Sequence, residues 1–139
     1  MASGRSESVS PIYHICSALA ALIYTVSEYH YGDINHISQI PQILRALDPS
    51  FLSNDFFLAQ SALANPRFYY VRFIALISGG SLESAFFLIT LCSNVCIGLV
   101  TCGLTIFISS SGPAGLLSSC LVFFYGGPNL GGAAMIAEG

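Results

Sequence analysis

The chain of 139 residues is 54% hydrophobic and only 8% charged, with a mean hydropathy of +0.72, whereas soluble domains carry about 25% charged residues. It has no lysine, and its four basic side chains, Arg5, Arg45, Arg67 and Arg72, are scattered, which excludes the clustered basic face that nucleic acid requires. Composition therefore assigns the chain to the membrane class with the lipid bilayer as partner, and the dispersed net charge of -3 marks no acidic tail.

Residues 1–10 are a polar N-terminal tail. From Pro11 to Ser27 the chain reads PIYHICSALAALIYTVS, about the shortest apolar run that crosses a bilayer, and extension to Tyr31 gives a first membrane helix over 11–31. A cleaved signal peptide is the rival reading, because Ser17-Ala18-Leu19-Ala20 offers small residues. Arg5 on the N-terminal side favours a cytoplasmic N-terminus under the positive-inside rule. Residues 32–80 are then an extracytoplasmic loop.

The stretch Glu28 to Asp55, which leads into that loop, holds half of the acidic, basic and histidine side chains in about a fifth of the chain. Ile37, Ile40, Ile43, Leu44, Leu47 and Phe51 recur at three- and four-residue intervals, which predicts a short helix with one apolar side, suited to lying along the membrane. Asp33 or Asn35 can cap its start, Pro41 begins its regular part or kinks it, and Asp48-Pro49-Ser50 closes it as a turn. Asn54-Asp55 caps a second short helix, FFLAQSALA, which ends at Asn65-Pro66. The next piece, Arg67 to Ser78, is aromatic and apolar; about 12 residues rise about 18 Å, so it reads as an aromatic-belt or re-entrant helix.

Gly79-Gly80 breaks the chain, Ser81 can cap the next helix, and Leu82 to Ser109 is the clearest spanning segment, with Glu83 at its mouth where the helix dipole favours an acid. Residues 114–139 hold a third apolar helix and a Gly-rich terminal loop. The fold expected is all-α: a polytopic helical membrane protein with about three membrane helices and short interfacial helices in its first loop. The ending in GGPNLGGAAMIAEG suggests a fragment of a longer protein.

Few residues in this plan can carry chemistry. Asp33, His36 and Gln39 are spaced three apart and project to one side of a helical segment; they can cap the helix, act as a general base, or contact a divalent cation. Asp55 is a second carboxylate, with an N-cap as its simpler reading. Arg67 and Arg72 flank the aromatic helix and are snorkelling anchors or contacts to a lipid phosphate. Asp48 is most simply a turn residue, Glu28 a membrane-exit marker, and His14 a polar contact between helices. Cys16, Cys92, Cys96, Cys102 and Cys120 all lie in apolar stretches and read as small hydrophobes. No His, Asp or Glu accompanies Cys92 and Cys96, so no metal site is assigned.

The order of a membrane helix, YGDINHISQIP, LRALDPSFLSNDFF, FYYVRFIALI and a long helix starting LESAFFLI resembles the N-terminal part of a family of bacterial multi-pass membrane proteins. Their first external loop carries Asp-x-x-His-x-x-Gln-x-Pro followed by Asp-Pro and Asn-Asp, here Asp33, His36, Gln39, Pro41, Asp48, Pro49, Asn54 and Asp55. The likeness covers roughly residues 28–135, and the layout is similar to the GT-C superfamily of membrane glycosyltransferases. It implies a polyprenyl-phosphate sugar as donor, Asp33 as the base that activates the acceptor, and His36 and Asp55 as assisting or metal-binding groups. Gln39, Arg67 and Arg72 would then contact substrate. The helices that would bind the lipid carrier fall outside these residues, so the chain alone would be inactive. The alternatives are a non-catalytic transport or assembly subunit, in which the loop packs on partner helices, and a fragment without function.

Overall fold

The computed structural model describes residues 10–56, 58 and 68–126, and all regular structure among them is helical. The helices are α1 (Ile12–Glu28), α2 (Ile34–Leu47), α3 (Phe68–Ile77), α4 (Leu82–Ser109) and α5 (Gly112–Gly126). Among the described residues they form two compact units, one within residues 29–89 and one of residues 10–28 with 90–126, and the division falls within α4. Arg67 and most of the short helix expected after Asp55 lie outside the described residues, as does the terminal Gly-rich loop.

In the unit built from both chain ends, Ser10 starts α1. Its hydroxyl accepts from the Ile12 amide at 3.4 Å, and Pro11 follows it, where a missing N–H costs nothing. The helix stops at Glu28, three residues short of the expected end. At about 1.5 Å per residue its 17 residues rise about 26 Å. Small side chains let α1 approach α5: Ser17 and Ser119 share a 2.6 Å hydrogen bond, and both are fully buried together with Ala21. Two turns further along α1, Tyr24 stacks on Phe123 with ring centroids 5.4 Å apart.

The part of α4 in this unit is tied in by polar side chains. Asn94 donates to the Thr25 hydroxyl at 3.0 Å, Thr25 donates to the Ala21 carbonyl at 2.8 Å, and Thr105 bonds Ser118 at 2.8 Å. Gly115 permits close approach of α5 to α4, because a Cβ there would stand 2.5 Å from Ile106 Cγ1 and 2.8 Å from the Cys102 carbonyl. Many large apolar side chains point outward: Leu19, Ile23, Val26, Val100, Leu117 and Phe124 are exposed, as are Phe107 at 84% and Tyr125 at 83%, whereas Phe123 is buried.

The expected long helix is continuous from Leu82 to Ser109. Ser81 caps it, accepting from the Ser84 amide at 3.4 Å. Its 28 residues rise about 42 Å, and it is the one described helix both long and apolar enough to cross a membrane, with 22% of its most apolar window buried. The turn before it uses Gly79 and Gly80 at φ +50° and +106°, a region that residues with a Cβ avoid.

The unit of residues 29–89 has an ordinary apolar core. Ile43 of α2, Val71 and Ile74 of α3, and Phe86 at the start of α4 are buried together, with Ile40, Tyr70 and Leu82 packed around them. The expected apolar stripe of α2 is therefore divided: Ile40 and Ile43 turn inward while Ile37 and Leu47 stay exposed. A helix of 14 residues is marginal alone, so it buries its central apolar residues against a neighbour. Pro41 sits inside α2, which continues through it. Asp48 ends the helix in a turn, its Oδ1 accepting from the Ser50 amide at 2.9 Å and the Ser50 hydroxyl at 2.7 Å. Those two bonds hold its carboxyl below the usual aspartate pKa.

Candidate functional site

The ionisable loop residues separate to the two ends of α2. At its N-terminus Asp33 is exposed, and its carbonyl accepts from the His36 amide at 2.6 Å and the Ile37 amide at 3.3 Å. This is the cap position expected of it, where a carboxylate also faces the positive end of the helix.

His36 folds back over the turn that precedes the helix. Its Nδ1 accepts from the Gly32 amide at 3.2 Å, with Gly32 at φ +87°. The ring lies on Phe86 at 4.4 Å between centroids and is flanked by Tyr29 at 6.1 Å and Tyr31 at 6.0 Å. Burial among these rings pushes its pKa below the usual imidazole value, and the nearby Asp33 carboxylate offsets part of that fall. A lone pair on Nδ1 that accepts an amide proton requires the other tautomer, with hydrogen on Nε2. His36 is thus a neutral side chain that fastens the turn to α2, and Nδ1 is not available to take a proton from an acceptor. Gln39, one turn further along α2, is half-buried.

The C-terminal end of α2 gathers different groups. Asp55 Oδ1 accepts from the Leu58 amide at 3.0 Å, the bond of an N-cap. Asp33 and Asp55 therefore lie at opposite ends of a helix about 21 Å long, a spacing that does not fit one shared reaction centre. Arg45, in the last turn of α2, donates through Nη1 to the Leu52 carbonyl at 3.2 Å and the Asp55 carbonyl at 3.5 Å. Arg72 lies with its guanidinium carbon 4.8 Å from the centre of the Phe68 ring, a cation–π arrangement. Both arginines line one cleft of about 260 Å³ with Gln42, Pro49, Phe68 and Val71.

The sequence pattern points to Arg72 as a substrate contact but not to Arg45, whose only signal is its position as a cation in the last turn of an amphipathic helix. No three His, Cys, Asp or Glu side chains converge as metal ligands among the described residues, and the five cysteines are free thiols. No family model matches this sequence, and no curated protein or solved structure matches it.

Proposed function

We propose that the chain is a multi-pass membrane protein in which α1, α4 and α5 are the membrane helices and residues 29–81 form an interfacial unit. The observation that carries this reading is the side-chain distribution of the unit built from the chain ends. Serine, threonine and glycine meet between its helices, while leucine, isoleucine, valine and phenylalanine side chains such as Leu19, Ile23, Val100 and Phe107 face outward, and Phe123 is the large side chain buried among the described residues of this unit. In water that arrangement leaves large apolar side chains such as Ile23, Val100 and Phe107 exposed, where a soluble monomer keeps contiguous apolar patches to about a few hundred Å². In a bilayer it is the favoured one, because lipid solvates the large side chains and small residues let helices approach and bond. Alkaline carbonate extraction of isolated membranes tests it: the full chain should stay with the lipid pellet, and release into the supernatant rejects the reading.

The finer proposal is sugar transfer from a polyprenyl phosphate, with Asp33 activating the acceptor. It is supported by the loop resemblance and by the exposure of Asp33 at the mouth of α2. The bonds made by His36 Nδ1 and Asp55 Oδ1 favour structural roles for those two. Asp33→Asn in the full gene product should abolish transfer of a radiolabelled sugar from polyprenyl phosphate while membrane insertion is unchanged. Transfer that survives the substitution removes Asp33 as the base.

A further inference from the structure

We propose that the cleft at the C-terminal end of α2 is a binding site for the phosphate of an anionic phospholipid, held by Arg45 and Arg72. The inference rests on the interfacial placement of residues 29–81.

The charge of the cleft argues for an anion. Among the described residues two guanidinium groups line it and none of the lining residues is acidic. Among the described residues neither arginine is paired with a carboxylate. Two acids near the cleft hold local turns rather than the arginines: Asp55 Oδ1 accepts from the Leu58 amide, and Asp48 Oδ1 accepts from Ser50, while both keep their negative charge. Arg45 is also held in place. Its Nη1 bonds to two backbone carbonyls, which fixes the plane of the guanidinium and leaves Nε and Nη2 to donate, the fork geometry that matches a phosphate.

The apolar part of the site argues for a lipid rather than free phosphate. Pro49, Phe68 and Val71 form walls beside the arginines, and Leu47, Tyr69 and Phe73 are exposed on the same two helices. The volume, about 260 Å³, is below the roughly 300–1,000 Å³ of sites that enclose a drug-sized ligand. It admits a headgroup phosphate and leaves the acyl chains outside, along those exposed side chains.

The test is native mass spectrometry of the full chain in neutral detergent micelles. Dioleoyl phosphatidylglycerol, dioleoyl phosphatidylcholine and inorganic phosphate are titrated separately. One phosphatidylglycerol should be retained at concentrations where the other two are not. Arg72→Gln should weaken retention about fivefold, and the Arg45→Gln, Arg72→Gln pair about 25-fold, since each cation near an anionic headgroup contributes about that factor. Arg45 also supports the loop, so Arg72→Gln decides the matter alone: its described contact is with the Phe68 ring, and circular dichroism should show unchanged helix content. Equal retention of phosphatidylcholine, or unchanged retention in Arg72→Gln, overturns the site. Inorganic phosphate bound as tightly as phosphatidylglycerol overturns the lipid assignment. Binding in micelles does not depend on how many helices cross a bilayer, so this result and the membrane reading can fail separately.

Discussion

Residues 12–28 with 90–126 bury small and polar side chains, Ser17, Ala21, Thr25, Cys102 and Ser119, with Phe123 the large exception among the described residues. Residues 29–89 bury Ile43, Val71, Ile74 and Phe86. One chain thus shows two packing patterns, and under the proposed membrane reading the difference follows from the solvent each part would meet. Where water is the alternative, burying a large apolar side chain contributes about 1.5–3 kcal/mol. Where lipid is the alternative that gain vanishes, and close helix contact with small hydrogen-bonded residues takes its place.

The contrast can be broken by substitution, beginning with the largest effect. Phe86→Ala should destabilise residues 29–89 by about 3–5 kcal/mol, the usual cost of emptying a fully buried aromatic site. Hydrogen exchange should show it as faster exchange in α2 and α3. Between α1 and α5 the large buried side chain is Phe123, stacked on Tyr24, so Leu19→Ala, at an outward position, should leave the stability in micelles within about 0.5 kcal/mol of the parent.

Next comes Gly115→Val, which puts a side chain where even a Cβ meets Ile106 and the Cys102 carbonyl. Overpacking of this kind costs about 1–3 kcal/mol, and the thermal midpoint in micelles should fall accordingly. Ser17→Ala removes the 2.6 Å bond to Ser119. In lipid such bonds average about 0.6 kcal/mol, because the freed hydroxyl finds its own backbone. A loss several times larger would contradict the lipid reading of this contact.

The smallest effect expected is a pH dependence confined to residues 29–89. The pKa of His36 is lowered in the fold, so the unfolded chain binds a proton at higher pH than the folded one. Its contribution to stability is present above the unfolded value of about 6.5 and is lost as pH falls through the folded pKa. Thermal unfolding followed between pH 7.5 and pH 5 should show a decline that His36→Phe reduces. An unchanged slope in that variant would show that His36 is not the group responsible for the decline.

Local chemistry is legible in the sequence and long-range pairing is not. The bounds of α4 follow from an apolar run between Gly79-Gly80-Ser81 and Ser110-Ser111-Gly112, where breakers and a cap sit beside the residues they control. Asp48 and Asp55 likewise act within three residues of themselves. By contrast Ser17 meets Ser119 across 102 positions, and no periodicity signals it. The inward turn of His36 depends on Phe86, which the chain supplies only after α3. Arg45 escapes a reading of sequence because its partners are backbone carbonyls, which carry no residue identity.

The most direct test of the account is two-sided labelling across α4. Single cysteines replace Ser53 and Ser109 in turn, in an otherwise cysteine-free chain, and intact cells are treated with a membrane-impermeant thiol reagent. The account predicts that one position is labelled in intact cells and the other only after lysis, because Leu82–Ser109 lies between them in the bilayer. Labelling of both positions in intact cells, or of neither until lysis, would contradict it.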